Sequence, residues 1–469
     1  MTLNNLLQLK GRFEQASSPN RPGSPNLPAG KSVEVSRLEN LLTNLNELQR
    51  YWQNQNLLPG ALITAHYNKI AAKSNRLQAL LGNSSTSPNS SIVGAKFSSD
   101  ASPKHIITHY VSHTIINESI NRLRNCINIL NSQFNGEIDH ETINQINNGG
   151  IPYSHSTIAK TNFLFVIIDA YFVDKFDLSD SIDDTINDAI ITIYKTNVRT
   201  TELLSRLGIN ILSNRIMDET TILLQPDELE ILKTRAPFLI SMAVSDLSEI
   251  TKDDFEFFDD GILSIRSPEN EPTIGVIDTL FDESVYFSEW VEYTNMLHPT
   301  IPITGRDFEH GTAVSSIIVD GPAFNPDLED GCGNFKVKHF GVANSSSFSS
   351  FTILRNISEI VAQNKDIKVW NLSLGSKLSI HPNFISPEAA ILDKIQYEND
   401  VIFVIAGTNL SPGETETRPI GAPADSINSI VVNSVDSNKN HSTYSRKGPV
   451  LSFFIKPDIS YYGGDSRNP

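Results

Sequence analysis

Four short stretches of the chain carry side chains suited to moving protons and stabilising charge. Asp278 ends the apolar, strand-type run Ile274-Gly275-Val276-Ile277-Asp278-Thr279. A carboxylate there can be buried against a histidine, fixing its tautomer and stabilising the imidazolium that forms during proton transfer. His310 opens His310-Gly311-Thr312-Ala313-Val314, just before an apolar helical run. The glycine lets the backbone turn tightly and approach a neighbour, while the start of a helix holds the imidazole in place. Asn371-Leu372-Ser373-Leu374-Gly375 and Ala406-Gly407-Thr408-Asn409 each end another buried-type strand. A glycine at a strand exit offers an edge to which extended peptide can add through main-chain hydrogen bonds, and an asparagine there can donate to a developing oxyanion. Singly, each has a plainer reading: strand-end carboxylates are common, isolated histidines are more often structural, and Gly and Asn are ordinary turn residues.

These stretches need a scaffold that brings strand ends together. Strand candidates lie at 273–277, 336–342, 368–374, 401–405 and 429–435, and helical stretches follow Gly311, Phe351 and Pro387. Alternation of buried-type strands with helices predicts an α/β fold, a mostly parallel sheet covered by helices on both faces. Such sheets place their ligands at the carboxyl ends of the strands, where the stretches at Asp278, Asn371–Gly375 and Ala406–Asn409 fall.

The preceding residues read differently. Residues 17–31 hold Pro19, Pro22, Pro25 and Pro28 among Ser, Asn and Gly, a linker composition. Two stripes at steps of three and four follow, Val35, Leu38, Leu41, Leu42, Leu45, Leu48, Trp52 and then Ile116, Ile120, Leu123, Ile127, Leu130, Phe134. They predict a helical module over residues 1–150. Over residues 157–246 the element order reads β-α-β-β-α-β, with strands at 189–194, 209–212, 220–224 and 238–244, the split pattern of a ferredoxin-like α+β domain. An acidic connector, 246–270, then leads into a third domain at 272–469.

Asp278-Thr279, His310-Gly311-Thr312, Ser373-Leu374-Gly375, Asn409, the run Ser442-Thr443-Tyr444-Ser445-Arg446-Lys447-Gly448-Pro449 and Lys456-Pro457-Asp458-Ile459 occur in one order. In that order and context the third domain resembles the subtilisin-like serine proteases, the subtilases of peptidase family S8. The resemblance implies a subtilisin-like fold and serine endopeptidase activity on peptide or protein substrates. It also implies Asp278 and His310 as triad members, Asn409 as the oxyanion donor and Ser373, Leu374 and Gly375 as a wall of the substrate groove. Three features depart from the family pattern. Leu280 follows Thr279 where glycine is usual, Thr408 separates Ala406-Gly407 from Asn409, and no Gly-Thr-Ser nucleophile motif is present. In the family that motif falls near or beyond position 470 of this numbering. Ser466, in Gly464-Asp465-Ser466-Arg467-Asn468-Pro469, lacks the small residues and following helix a nucleophile needs. The expectation is therefore a fragment that does not cleave peptides by itself. The domain at 157–246, with Leu224-Gln225-Pro226-Asp227-Glu228-Leu229-Glu230-Ile231-Leu232, resembles a subtilase inhibitory propeptide; a purely structural domain is the equal alternative. The overall layout resembles subtilases encoded beside an AAA ATPase, which implies such a partner.

Composition narrows the classes. The 469 residues carry 37 basic and 54 acidic side chains, a net charge of -17, which disfavours nucleic acid and anionic membranes as partners. The two cysteines, Cys126 and Cys332, and a start without an apolar signal core point to a reduced, cytoplasmic protein. The most apolar run, 163–173, is interrupted by Asp169 and too short to span a bilayer. No cofactor is implied. His105, His109 and His113 recur every four residues, a spacing that on a helix could chelate zinc, though hydrogen-bonded histidines at a helix-pair boundary fit better. Asp327, Glu329 and Asp330 could hold calcium or simply form a solvated loop. The leading expectation is an endopeptidase; the other is a catalytically inactive subtilase fold used for peptide binding or assembly.

Overall fold

The computed structural model describes residues 24–72, 76–178, 189–245, 264–324, 331–344, 350–376, 379–410, 418–436, 438–451 and 454–463. Asp327, Glu329, Asp330, Ser466 and most of the acidic connector lie outside them. The chain forms two compact units, one within Gly11–Ala243 and one within Val244–Pro469.

The first unit begins with β1 (Ser32–Glu34), α1 (Val35–Gln53), β2 (Ala61–Tyr67), β3 (Ile92–Phe97), β4 (His105–Val111), α2 (His113–Gln133), β5 (Glu137–Asp139) and α3 (His140–Asn147). It continues through α4 (Lys160–Phe172), β6 (Val173–Asp177), β7 (Ala189–Ile193), α5 (Thr200–Arg206), β8 (Thr221–Leu224), α6 (Pro226–Arg235) and β9 (Ile240–Ser245). Both apolar stripes form helices, α1 and α2, as their spacing predicts. The expected helical module is nonetheless an α/β structure, with β3-β4-β2-β6 forming an antiparallel sheet. The strands escape a periodicity reading because β2 is buried at every position but His66, so it shows no alternation.

The histidine spacing misleads for a related reason. Four residues are two strand repeats as well as one helical turn, and His105 and His109 share a face of β4, not of a helix. Both are buried and bonded: Ala71 N–H donates to His105 Nδ1 (2.9 Å), and His109 Nδ1 pairs with Ser91 Oγ (3.0 Å). Burial pushes the His109 pKa down to about 4. His113 is the first residue of α2, and among the described residues no cluster is placed to hold a metal ion.

The boundary expected between 150 and 157 does not exist as a domain boundary. Strand β6 pairs with β2, and one hydrophobic cluster runs from Leu27 through Trp52 and Phe163 to Ile240. The ferredoxin-like expectation falls one strand short. The sheet is β8-β7-β9, and the residues expected as a strand at 209–212 contribute none; a single bridge, Ile216 with Ile222, stands at that edge. Leu212 is 67% exposed, and in that segment Ile209 is buried while Ile211 packs only partly against the core.

The second unit contains β10 (Thr273–Asp278), β11 (Val291–Asn295), α7 (Glu309–Phe324), β12 (Lys336–Gly341), α8 (Ser350–Gln363), β13 (Val369–Leu372), α9 (Pro387–Asn399), β14 (Ile402–Ala406), β15 (Ile430–Val435) and β16 (Ile459–Tyr462). Its sheet, β11-β12-β10-β13-β14-β15-β16, is parallel throughout. Adjacent residues of a strand face opposite sides, and both sides are covered. Val276 and Val337 pack with Val314, Ile318 and Val319 of α7. On the other side Leu372, in register with Ile277, lies with Ile353, Leu354 and Ile357 of α8. Among the described residues no helix is long and apolar enough to cross a membrane.

Gly275 sits opposite Trp370, and a Cβ there would overlap the buried indole. Gly275→Ala should therefore force the indole or the strand to shift, lowering stability by about 1–3 kcal/mol in urea unfolding.

Candidate active site

Strand β10 lies inside the sheet, flanked by β12 and β13, so Asp278 at its carboxyl end is completely buried. His310 is the second residue of α7. Its Nδ1–H donates to Asp278 Oδ1 at 2.5 Å, with the carboxylate 0% and the imidazole 12% exposed. The same oxygen accepts the Thr279 N–H (2.7 Å). Burial alone would raise the Asp278 pKa. The His310 charge and hydrogen bond, the charge of His339 and the Thr279 N–H outweigh it and hold the carboxyl below its ordinary value.

The approach of α7 to the strand exit is fixed by the backbone. Leu280 N–H donates to Asp307 O (2.9 Å), Gly311 N–H to Thr279 Oγ1 (2.9 Å), and Asp282 N–H to Thr312 Oγ1 (2.9 Å). The turn before α7 is closed by a capping box, in which Asp307 Oδ2 accepts from Thr304 N–H (2.6 Å) and Thr304 Oγ1 (2.8 Å). Glycine at 311 is a steric requirement: a Cβ there would lie 2.6 Å from Leu280 O and 2.7 Å from Thr279 O.

Register places the other expected residues on the same edge of the sheet. Ile277 pairs with Leu372 and Leu372 with Ile405, so Ser373, Leu374 and Gly375 leave the sheet beside Asp278, and Gly407, Thr408 and Asn409 leave it one strand further along. Beside Leu374 and Gly375 opens a small apolar pocket, lined also by Ile353, Leu354, Ile357 and Leu372. Thr408 is the residue that meets Gly375, whose Cβ would lie 2.5 Å from Thr408 Cγ2. Asn409 stands one position beyond, half-buried, its backbone in an isolated bridge with Ser445. The strand pattern anticipates this edge. It does not single out Ser315 or His339, whose partners lie in distant segments and leave no local signal, and the Thr304–Asp307 cap, three residues apart, is a local feature outside the strand pattern.

Gly311→Ala should push α7 away from Thr279 and Leu280 and destabilise the unit by about 1–3 kcal/mol, read as a lowered urea midpoint. Asp278 should also leave a mark on acid unfolding. Its folded pKa lies below its unfolded value, so below about pH 4 the unfolded chain takes up more protons and stability falls as pH drops. Asp278→Asn should flatten that part of the stability profile.

Residues 258–468 match the model of the subtilase family, Peptidase_S8. Subtilisin DY of Bacillus licheniformis is 32% identical over 121 residues, 26% of this chain and 41% of that protein, so the chain spans about two fifths of that relative. A mutant of the epidermin leader peptide processing serine protease (EpiP) from Staphylococcus aureus is 17% identical, covering 60% of this chain and 76% of its own, with a TM-score of 0.40. The psychrophilic subtilisin-like protease Apa1 from Pseudoalteromonas sp. AS-11 is 21% identical and covers 41% of each chain at a TM-score of 0.30. The family match takes in every strand of the parallel sheet together with α7 and its histidine, so the likeness to the subtilase family lies in this subtilisin-like α/β unit, residues 258–468.

Proposed function

We propose that the second unit supplies the acid–base half of an intracellular serine-type endopeptidase. The observation that carries the reading is the 2.5 Å hydrogen bond from His310 to a fully buried Asp278 at the carboxyl edge of the sheet. His310 Nε2 takes the serine hydroxyl proton as the oxygen attacks the peptide carbonyl, then returns it to the leaving amine. Asp278 keeps Nδ1 protonated and stabilises the imidazolium formed in between. Asn409 donates to the oxyanion of the tetrahedral intermediate. Extended substrate adds to the edge at Ser373–Gly375, and the apolar pocket beside it takes an apolar side chain. The intracellular setting agrees with Cys126 and Cys332 forming no disulfide.

A second reading is favoured by one observation, that no Gly-Thr-Ser occurs in the chain. In it the unit binds extended peptide, or assembles with a partner, without turnover. The two are separated by a product of the extended reading frame. A fluorophosphonate probe should label it and peptide substrate should be cleaved. His310→Ala should abolish labelling, and Asp278→Asn should lower kcat by about 10⁴. A folded product that binds peptide yet neither labels nor cleaves would overturn the protease reading in favour of the binding module.

A further inference from the structure

We propose that His339 is a positioning residue for the Asp278–His310 pair, a single imidazole that ties the strand exit carrying the acid to the helix carrying the base. The proposal rests on the reading of Asp278 and His310 as a catalytic pair and adds a third residue to it. His339 is on β12, in register with Val276 of β10, so it shares the sheet face of Asp278, two residues after Val276. It is completely buried.

Both ring nitrogens are engaged, and by different elements. Nε2 lies 2.8 Å from the Thr279 carbonyl oxygen, and Nδ1 lies 2.9 Å from Ser315 Oγ. A carbonyl can only accept, so Nε2 carries the proton and Nδ1 receives the Ser315 hydroxyl. Thr279 directly follows Asp278 and is the residue whose hydroxyl receives the Gly311 N–H. Ser315 is on α7, as is His310. The ring thus spans the gap across which His310 must reach Asp278. Its Cε1 lies 2.8 Å from where a Gly311 Cβ would be, so it also limits how close α7 comes.

The surroundings hold the ring in this role. The Phe281 and Tyr293 rings each lie 5.6 Å from it, centroid to centroid. Burial, outweighing the Thr279 carbonyl and the Asp278 charge, keeps its pKa below the ordinary histidine value. A neutral ring is what the pair needs there, because a second imidazolium would repel the one that forms on His310.

The test reads the hydrogen bond itself in the chain of this sequence, without turnover. The His310 Nδ1–H should give a low-field proton resonance, assigned by its loss in His310→Ala. His339→Phe keeps a ring in the cavity and removes both hydrogen bonds; the resonance should disappear while far-UV circular dichroism and cooperative unfolding persist. His339→Gln, whose amide N–H can still reach Thr279 O, should retain it. A folded His339→Phe chain with an unchanged resonance overturns the proposal, as does a wild-type chain with none. If His339→Phe does not fold, Ser315→Ala decides: a broadened or lost resonance supports the proposal and an unchanged one overturns it. The readout is independent of proteolysis. A sharp wild-type resonance that responds to His339, in a gene product that never cleaves peptide, would retire the protease reading and leave the positioning role standing.

Discussion

A hydrogen bond between a buried carboxylate and a partly exposed imidazole sets the terms for the second unit. Asp278 Oδ2 is buried without a hydrogen-bond partner among the described residues, so the charge is balanced almost wholly through Oδ1, by His310 and the Thr279 N–H. A buried carboxylate that loses its counter-group is strongly destabilising, whereas the intact pair contributes less than its Coulomb energy suggests because both groups were desolvated. The geometry therefore has to be imposed by the scaffold. It is imposed three times over, by Leu280 N–H on Asp307 O, Gly311 N–H on Thr279 Oγ1 and Asp282 N–H on Thr312 Oγ1. All three join the segment after β10 to the first turn of α7 or the turn before it, so the two backbones can hardly separate without breaking several bonds at once.

The all-parallel sheet supplies the rest. Every strand exit falls on one edge, so residues from segments far apart in sequence, at 278, 373–375 and 407–409, arrive side by side. That convergence needs close packing on both faces, which Gly275 permits by leaving room for Trp370 and which α7 and α8 complete from opposite sides. The site is in this sense a property of the sheet: Asp278 can be fully buried because β10 has neighbours on both sides.

Much of this was legible in the residues because buried parallel strands are largely apolar runs, and, whereas β12 carries Lys336, Lys338 and His339 among its apolar residues, β10, β13, β14 and β15 read that way. Strands β11 and β16 do not. Val291–Asn295 contains Glu292 and Asn295, and all four residues of Ile459–Tyr462 are exposed, as suits strands at the two edges of a sheet with one hydrogen-bonding neighbour each. The antiparallel sheet of the first unit was hidden for opposite reasons: β2 is too thoroughly buried to alternate, and β4 carries histidines at a spacing shared by strand and helix. His339 was hidden because a histidine acquires its meaning from what meets its two nitrogens, and Thr279 and Ser315 come to it from other parts of the chain.

The interposed residue at 408 shows how a local departure is absorbed. Thr408 has φ 66, a left-handed conformation that a β-branched residue adopts only at a cost on the order of 1–3 kcal/mol. Its hydroxyl makes the compensation visible, donating to Gly407 O (2.7 Å) and accepting the Gly421 N–H (2.8 Å), while its methyl group packs on Gly375. Thr408 thus pins the strand exit to the segment at 421 and to the Ser-Leu-Gly edge. Asn409 follows with its backbone bridged to Ser445 and flanked by hydrogen bonds from Leu410 N–H to Tyr444 O (2.7 Å) and from Arg446 N–H to Thr408 O (3.1 Å). Where an Ala-Gly-Asn turn would ask one residue both to hold the turn and to present an amide, here the holding falls to Thr408. Under the proposed reading the donating falls to Asn409, on a backbone ladder stiff enough to aim it.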